Sequence, residues 1–571
     1  MSEGGGSVAA YVAATLKARG VTRVFGLCGG HVMPLWMALD DAGIAIVDVR
    51  DERSAVFMAH AYAEIGGGLG VALVTAGPGV TNATTGIANA HVARAGVLVL
   101  AGVPPRAQEG KGALQDLPHV AMLQPVTRYA RTVREPTLVP QELDCAITRC
   151  EGFGGEPGPA YVDFPIDVLR SELAPMFWRG EHMAAKARQA LLPDPEAVAR
   201  AAALLAAAHR PLVIAGRGAR RAGPALVRLL DALPAAYLDT GESRGLVPEG
   251  HASFVGAMRA AAMAEADLVL TVGRRLDFQL AYGAPAVFPD ARFVRIADTV
   301  AELADNRRGD AEILADADLA LGAVAAALRS RAPSADLAWV ERLRAEHSRR
   351  TQKLREAMRA APDDARGRVH PQRLLAHVQE ALDRDAIVVA DGGDFLSFAR
   401  VGIAASAWLD PGSLGCLGVG TPFGVGASLA APGRQVVVLT GDGAFGFSAM
   451  ELGTVARHRV PLLVVVANND AWQIEVHDQR SRYGRVVGTQ FAATDYAAMA
   501  RAFGLHAERV ASADELPAAF ARALGRLPAL LDVVVSPDAV SSDARSGLAV
   551  VPDLAPLAAW DDAERRWRER R

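Results

Sequence analysis

Residues 435–445 read QVVVLTGDGAF, an uninterrupted apolar run that ends in an aspartate between two glycines. Such a run is typical of a strand that is buried on both faces of a parallel sheet. Gly441 and Gly443 allow a sharp turn and a close approach of the backbone to an anion. Asp442 is then expected at the carboxyl end of the strand, where open α/β sheets bind their ligands. The stretch predicts a parallel α/β sheet with a ligand site at its edge.

A second polar segment follows after enough chain for one helix and one further buried strand. Asn469 and the backbone carbonyl of Ala471 are therefore expected beside Asp442, at the neighbouring strand end. Together with the oxygens of a bound diphosphate, these three groups suit the octahedral demand of Mg²⁺. The alternative is that Asp442 only forms a turn. The preceding strand and the spacing to Asn469 favour the metal site.

The composition excludes several classes of protein. The chain has 571 residues, of which 51% are hydrophobic and 22% charged, and its formal net charge is −4. This charge argues against a general nucleic-acid or membrane-surface binder. We see no apolar run of membrane-spanning length and no signal-peptide pattern, and the four cysteines lack CxxC spacing. These features predict a globular protein with reduced thiols in the cytoplasm.

Strand-like apolar runs alternate with alanine-rich helical segments along the whole chain, which predicts α/β architecture with three doubly wound parallel sheets. In the middle block, a strand is predicted over residues 266–270. The predicted domains are residues 1–185, residues 190–350 and residues 365–535, followed by a C-terminal tail of residues 536–571.

The Gly441-Asp442-Gly443 turn with Asn468-Asn469 resembles the signature of the thiamine diphosphate (ThDP) enzymes. That superfamily includes acetolactate synthase, pyruvate decarboxylase, benzaldehyde lyase, oxalyl-CoA decarboxylase and 2-hydroxyacyl-CoA lyase. The resemblance implies pyrimidine-binding (PYR), middle and diphosphate-binding (PP) domains, in that order. It also implies ThDP and Mg²⁺ as cofactors, with the diphosphate bound by Gly441, Gly443 and Ala444.

The first block carries the family's second motif. Arg50-Asp51-Glu52 follows a strand, and residues 70–82 read GVALVTAGPGVTN. On this match Glu52 is the acid that activates the cofactor's pyrimidine ring, and Gly77, Pro78 and Asn82 bind the cofactor. The alternative is that Glu52 is a solvated acid in the first turn of a helix.

Three further residues are expected to transfer protons. His31, in FGLCGGHV at residues 25–32, matches the active-site histidine of benzaldehyde lyase. Gln115 matches the family's active-site glutamine. Glu475 follows NNDAWQI at residues 468–474, which resembles the pyruvate decarboxylase pattern and makes Ile474 a cofactor contact. The alternatives are a helix cap for His31 and a surface acid for Glu475.

Two motifs of the third block also resemble cofactor-binding turns. The segment LGCLGVGTP at residues 414–422 implies that Gly415 binds the cofactor's amino group and that Leu417 holds its two rings in a V. The segment DGGDF at residues 391–395 places Gly393 and Asp394 at the diphosphate. A carboxylate beside an anion is unusual, and the role of Asp394 stays open.

The middle block bears on the substrate. Residues 273–283, GRRLDFQLAYG, resemble 2-hydroxyacyl-CoA lyases and oxalyl-CoA decarboxylases, which implies an ADP or CoA nucleotide in this domain and speaks against FAD. The family's strand-end aspartate falls on Ala297, with Asp298 one residue later, and a one-residue step turns a strand side chain to the other face. The basic tail either covers a CoA substrate or forms a solvated helix.

These features predict a carbon–carbon lyase that cleaves a 2-hydroxyacyl-CoA reversibly to formyl-CoA and an aldehyde or ketone. The alternative is a carboligase or decarboxylase of 2-keto acids or acyloins, similar to acetolactate synthase or benzaldehyde lyase. A nucleotide-binding protein of the Rossmann type and an inactive scaffold are two further alternatives from other classes. The resemblance implies a homodimer or homotetramer acting on a small molecule, most simply an acyl-CoA, without nucleic-acid or membrane partners.

Overall fold

The computed structural model describes residues 5–153, 155–178, 180–185, 188–546 and 551–570. In this part of the chain, three parallel sheets of six, five and six strands follow one another, and a two-stranded antiparallel pair joins Gly6–Ser7 to Glu172–Leu173. Helices pack on both faces of the sheets. The predicted α/β architecture of three doubly wound sheets is confirmed.

The first sheet forms the first domain. Its six parallel strands lie in the spatial order Ala45–Asp48, Arg23–Gly26, Gly70–Val74, Val97–Val103, Ala160–Pro165 and Tyr129–Thr132. Its helices are Val8–Ala18, Met33–Asp41, Glu52–Gly66, Pro78–Val92, His119–Leu123, Val139–Cys150 and Ile166–Arg170. The central strands are buried on both faces, as their continuous apolar sequences predict.

The middle sheet has five parallel strands in the order Ala236–Leu238, Pro211–Ala215, Leu268–Val272, Arg292–Ala297 and Ala311–Leu314. Its main helices are Pro195–Ala207, Gly223–Ala232, Arg259–Glu265, Ala317–Leu328 and Leu337–Arg359. The strand predicted at residues 266–270 begins later, at Leu268. The carboxylate of Asp267 accepts the backbone N–H groups of His209 at 2.8 Å and Arg210 at 2.9 Å, so this residue closes a loop instead.

The third sheet contains the predicted strand before Asp442. Its six parallel strands lie in the order Ala407–Leu409, Ile387–Asp391, Val436–Gly441, Leu463–Asn468, Ala529–Val534 and His506–Val510. Its helices are Pro371–Ala381, Asp394–Gly402, Gly420–Ala430, Asp442–Gly446, Leu452–Arg457, Gln473–Tyr483, Tyr496–Ala502 and Leu516–Leu524. In chain order, its strands follow the same spatial arrangement as those of the first sheet.

The first and third domains share one hydrophobic core. Helix Glu52–Gly66 packs against helix Gly420–Ala430, and the rings of Phe57 and Phe423 meet edge to face at 5.9 Å. The close approach requires a glycine at position 426, because a Cβ there would lie 2.2 Å from the carbonyl oxygen of Met58. This contact fixes the position of the helix that begins at Glu52.

Ion pairs join the middle domain to the first. The buried Arg94 binds Glu302 at 2.6 Å and Asp298 at 2.9 Å, and Arg217 pairs with Glu64, whose side chain is 3% exposed. Burial raises the pKa of Glu302 to about 7, against the lowering effect of Arg94. Asp298 therefore serves this interdomain contact.

The C-terminal tail ends in helix Ala558–Glu569, and residues 547–550 of the predicted tail lie outside the described residues. Trp560 packs against the core of the middle domain. Arg565 pairs with Asp561 at 2.8 Å and Arg568 with Glu564 at 2.9 Å, each one turn away. These pairs favour the solvated-helix interpretation of the tail. None of the described helices combines the length and apolar character that crossing a bilayer requires.

Candidate active site

Glu52 is the first residue of its helix and is buried, with 7% of its surface exposed. Its Oε2 accepts a hydrogen bond from Asn82 Nδ2 at 3.0 Å. The helix is capped by the preceding residue, Asp51, whose side chain accepts from the backbone of Arg53 at 2.8 Å. Because Asp51 caps the helix, the Glu52 carboxylate is free to bind Asn82. The structure thus contradicts the solvated-acid alternative for Glu52.

The Gly77-Pro78-Gly79 turn lies beside Glu52. Gly77 has φ +59°, and a Cβ at this position would lie 2.8 Å from the Cβ of Gln115. A Cβ on Gly79 would lie 3.5 Å from Glu52 Oε1. Position 77 therefore requires glycine, because any side chain there would clash with Gln115. It brings Gln115 and Glu52, far apart in sequence, to one end of the first sheet.

His31 belongs to the same cluster. Its ring lies beside the Gln115 side chain, and its Nδ1 is buried without a partner among the described residues. Burial lowers the pKa of His31, the nearby His119 lowers it further, and the Gln115 hydrogen bond opposes the shift. A neutral imidazole with a free nitrogen is able to accept a proton.

His119 supports the turn from beneath, a role that the sequence did not reveal. Its Nε2 accepts the backbone N–H of Gly77 at 3.0 Å, so its proton lies on Nδ1, which faces Asp163 Oδ2 at 3.4 Å. The hydroxyl of Tyr161 donates to the same Asp163 oxygen at 2.7 Å. His119 and Asp163 are both buried. The sequence holds no local signal for this contact, because the three positions lie on different elements.

Asp442 lies at the carboxyl end of strand Val436–Gly441, as predicted, and only 2% of it is exposed. Its Oδ2 accepts the backbone N–H of Ala471 at 3.2 Å. Burial raises the pKa of Asp442 to about 7; the charge of Asp470 adds to this, and the backbone N–H groups of Gly443 and Ala471 oppose it. A bound cation would stabilise the ionised carboxylate.

The two adjacent asparagines have different roles. Asn468 anchors the loop, since its Nδ2 donates to Asp532 Oδ1 and to the carbonyl of Thr494, each at 3.0 Å. Asn469 Oδ1 is buried and has no hydrogen-bond partner among the described residues. A buried amide oxygen without a partner is costly unless a ligand satisfies it. Asn469 is therefore the member of the pair available to a metal ion.

The DGGDF segment closes over the Asp442 turn. Gly392 lies against Gly441 and Ala444, and Gly393 lies against the Ile474 side chain. Asp391 is fully buried and accepts the backbone N–H groups of Gly392 at 2.7 Å and Gly420 at 2.8 Å. Burial raises the pKa of Asp391 to about 7 against these donors. The structure thus gathers Gly393, Gly441, Gly443, Ala444 and Ile474 around Asp442.

The remaining predicted residues lie at the border of this cluster. Gly415 and Leu417 belong to the loop that leads to Gly420, and Leu417 is half-buried. Glu475 is exposed in the first turn of helix Gln473–Tyr483. Their contacts with a cofactor stay predictions.

The oxygen donors at Asp442 fit a hard cation. Among the described residues, no group of three or more His, Cys, Asp and Glu side chains is arranged to hold a metal ion. A cation here would bind one carboxylate, the Asn469 amide oxygen and a backbone carbonyl, and anionic ligand oxygens would complete its shell. The partnerless Asn469 Oδ1 supports this fit.

Comparisons with known proteins agree with this geometry. Family profiles of the thiamine pyrophosphate enzymes match the chain in three stretches: the N-terminal TPP binding domain at residues 6–122, the central domain at residues 198–324 and the C-terminal TPP binding domain at residues 395–533. The chain belongs to the thiamine diphosphate enzymes.

Curated relatives of this ThDP enzyme have two kinds of name. A "Probable acetolactate synthase" of Mycobacterium bovis is 36% identical over 549 residues, covering 94% of this chain and 97% of the relative. A "2-hydroxyacyl-CoA lyase 2" of Caenorhabditis elegans is 32% identical over 541 residues, covering 87% and 84%. The human protein of that name is 32% identical over 544 residues, covering 86% and 83%.

In the middle domain of this ThDP enzyme, arginines at the strand ends are paired with carboxylates. Arg274, 3% exposed, binds Asp277 at 2.7 Å, and Arg275 pairs with Glu156. Asp298, the displaced strand-end acid, binds Arg94. To bind the phosphates of the predicted ADP or CoA nucleotide, these arginines would have to give up their carboxylate partners. Nucleotide binding in this domain stays a prediction.

The two candidate half-sites of the ThDP enzyme lie in different domains. The first comprises His31, Glu52, Gly77, Pro78, Asn82 and Gln115, and the second surrounds Asp442. In the described part of the chain, no hydrogen bond or ion pair joins one set to the other.

Proposed function

We propose that this ThDP enzyme is a magnesium-dependent carbon–carbon lyase that cleaves 2-hydroxyacyl-CoA to formyl-CoA and an aldehyde or ketone, and that also runs in reverse. The reaction balances without an oxidant. The bond between the hydroxyl carbon and the acyl carbon breaks, the hydroxyl group loses its proton, and the acyl carbon gains a proton to become formyl-CoA. The names of the lyase relatives support this substrate class.

The observation that carries the proposal is His31. Cleavage beside a hydroxyl group requires a base that removes the hydroxyl proton while the carbonyl product forms. His31 has a buried Nδ1 without a partner, and burial lowers its pKa, so the ring is neutral near pH 7. Decarboxylation of a 2-keto acid makes no such demand, because carbon dioxide leaves without a proton.

Each remaining residue has a matching task. When bound, ThDP supplies a thiazolium carbanion that adds to the substrate and stabilises the charge left by bond cleavage. Glu52, held by Asn82, would bind the pyrimidine ring and exchange a proton with it. Gln115 would orient His31, with which it is in contact. Glu475 would deliver a proton from the second half-site.

The second half-site would hold the diphosphate and Mg²⁺. Asp442, Asn469 and the carbonyl of Ala471 would bind the metal ion, and Gly393, Gly441, Gly443 and Ala444 would leave room for the phosphate oxygens. Gly415, Leu417 and Ile474 would hold the cofactor's rings. Because no hydrogen bond or ion pair among the described residues joins the two half-sites within one chain, we propose a homodimer in which a second copy completes each site. We also propose that the enzyme acts in the cytoplasm.

A second candidate is an acetolactate synthase-like carboligase acting on 2-keto acids. The 36% identity to the probable acetolactate synthase of M. bovis favours it. Under this alternative, His31 would bind substrate without acting as a base.

Product analysis by mass spectrometry tests the two candidates. The enzyme with ThDP and Mg²⁺ is offered 2-hydroxyacyl-CoA thioesters of several chain lengths, beside pyruvate and benzoin. Formyl-CoA together with a carbonyl product supports the lyase. Acetolactate, acetoin or benzaldehyde without CoA turnover contradicts it in favour of the keto-acid or acyloin enzyme.

A further inference from the structure

Asp394 places a carboxyl group at a helix N-terminus where the diphosphate of the cofactor is expected. It is the first residue of helix Asp394–Gly402, whose N-terminal N–H groups carry partial positive charge. The two preceding residues, Gly392 and Gly393, lie against the Asp442 turn and Ile474. A carboxylate here would repel a diphosphate, yet the side chain is 92% buried, with 8% exposed.

The two oxygens of Asp394 are treated differently. The hydroxyl and backbone N–H of Ser541 lie beside the carboxyl group and lower its pKa. Ser541 is fully buried, and its Oγ accepts the N–H of Ala544 at 3.2 Å, so its hydroxyl proton is free to donate to Asp394. Oδ1 has no partner among the described residues. Oδ1 is thus left for a ligand.

We propose that Asp394 binds the cofactor's diphosphate as a neutral carboxylic acid, with its Oδ1 hydroxyl donating to a phosphate oxygen. A neutral acid turns the repulsive group into a hydrogen-bond donor and satisfies the unpartnered oxygen. The inference rests on the proposed diphosphate site.

The surroundings of Asp394 agree with this protonation state. Burial raises the pKa of Asp394, the hydrogen bonds of Ser541 and the charge of His477 oppose the shift, and Asp543 adds to it. His477 lies on helix Gln473–Tyr483 and Asp543 on helix Ser542–Ser546. Arg400, on the helix of Asp394 itself, lies 4.0 Å from Asp543.

The proposal makes cofactor affinity depend on pH. Above the pKa of Asp394 in the free enzyme, binding must take up a proton, so ThDP affinity falls by up to about tenfold per pH unit. The Kd of ThDP is measured between pH 7 and 9 by calorimetry at saturating Mg²⁺. The terminal phosphate of ThDP, with a second pKa of about 6, is already ionised in this range.

The matched variant is Asp394→Asn, which keeps the shape and one donor but cannot ionise. We expect its affinity at pH 9 to exceed that of the wild type, and the slope of log Kd against pH to fall by up to one unit. Any slope from Glu52 is common to both proteins. Equal slopes, or weaker binding by Asp394→Asn at every pH, would overturn the proposal.

Two neighbours give a test if Asp394→Asn does not fold. Ser541→Ala removes the hydroxyl donor that favours the ionised form and keeps the backbone N–H, so the loss of affinity should move to higher pH. Asp543→Asn removes a like charge, so the loss should move to lower pH. Shifts in the same direction, or none, contradict the role of Asp394. If the wild type fails to bind ThDP at any pH, the proposed cofactor site fails with it, whereas tight binding without pH dependence overturns only the Asp394 inference.

Discussion

The first and third sheets share one strand order, yet the residues after their strands have different chemistry. The first sheet ends in groups that are able to exchange protons, with Glu52 and His31 held around a glycine turn. The third ends in Asp442 and the partnerless oxygen of Asn469, which suit a cation and its anion. A common scaffold therefore leaves the chemistry to the loops at the strand ends.

Burial shifts the pKa values at the ends of the first and third sheets in opposite directions. It lowers the pKa of His31 and raises the pKa values of Asp442 and Asp391 to about 7, and so favours the neutral form in each case. For His31, the neutral form is the one that accepts a proton. For Asp442, the ionised form needs a cation beside it. His31 therefore takes its proton-accepting form without a ligand, whereas the ionised form of Asp442 requires a bound cation.

Removing the metal ligand should give the largest effect. Asp442→Ala deletes the only carboxylate proposed to bind Mg²⁺, so we expect ThDP affinity to fall at least about a hundredfold and activity to fall to background. Titration with ThDP at fixed Mg²⁺ measures this. Asp470→Asn is the matched control, since it removes a neighbouring charge but no proposed ligand. Tight ThDP binding by Asp442→Ala would assign the metal site elsewhere.

Glu52→Gln should lower catalysis at the first half-site and leave cofactor binding at the second half-site intact. The variant keeps a hydrogen-bonding side chain beside Asn82 but loses the acid, so we expect kcat to fall by about 10²–10⁴ while ThDP affinity changes little. Steady-state kinetics with a parallel ThDP titration checks this. Asp51→Asn, at the neighbouring capping position, should retain kcat because Asn caps helices as well as Asp does. A Glu52→Gln enzyme with unchanged kcat would remove Glu52 from the proposed mechanism.

His31→Asn should affect one substrate class only. We expect kcat for 2-hydroxyacyl-CoA cleavage to fall about 10²-fold, with little change for any keto-acid reaction. Because burial lowers the pKa of His31 below 6.5, wild-type activity should be complete near pH 7 and lost as pH falls through that lowered pKa. The variant should lack this acidic limb. An equal loss on both substrate classes would point to a structural role for His31.

The sequence predicted the features that depend on neighbouring residues. The apolar strand before Asp442 and the turn at Gly77 each depend on a short local pattern, and each lies where it was expected. The strand expected at residues 266–270 was displaced because Asp267 bonds backbone groups in another segment. A local pattern does not report such a partner.

Contacts between distant segments escaped prediction for the same reason. His119 bonds Gly77, and Asp394 meets Ser541 of the C-terminal tail, although nothing near either residue in sequence announces its partner. The sequence motif already places Asn469 beside Asp442. The tertiary contact of Asn468 with Asp532 adds the reason why Asn468 is not available to a ligand.

The smallest expected effect concerns the buried support of the first site. The amide nitrogen of His119→Asn lies near the former Nδ1 and keeps the contact with Asp163, whereas the amide oxygen of His119→Gln extends to the former Nε2 and keeps an acceptor for Gly77. Loss of that acceptor leaves a buried N–H unsatisfied, so we expect His119→Asn to lower the free energy of unfolding by about 1–3 kcal/mol. Urea denaturation measures this, and ThDP titration should show weaker binding by His119→Asn than by His119→Gln. Equal ThDP affinities in the two variants would show that the Gly77 turn keeps its shape without His119, which would then stabilise the domain without positioning the site.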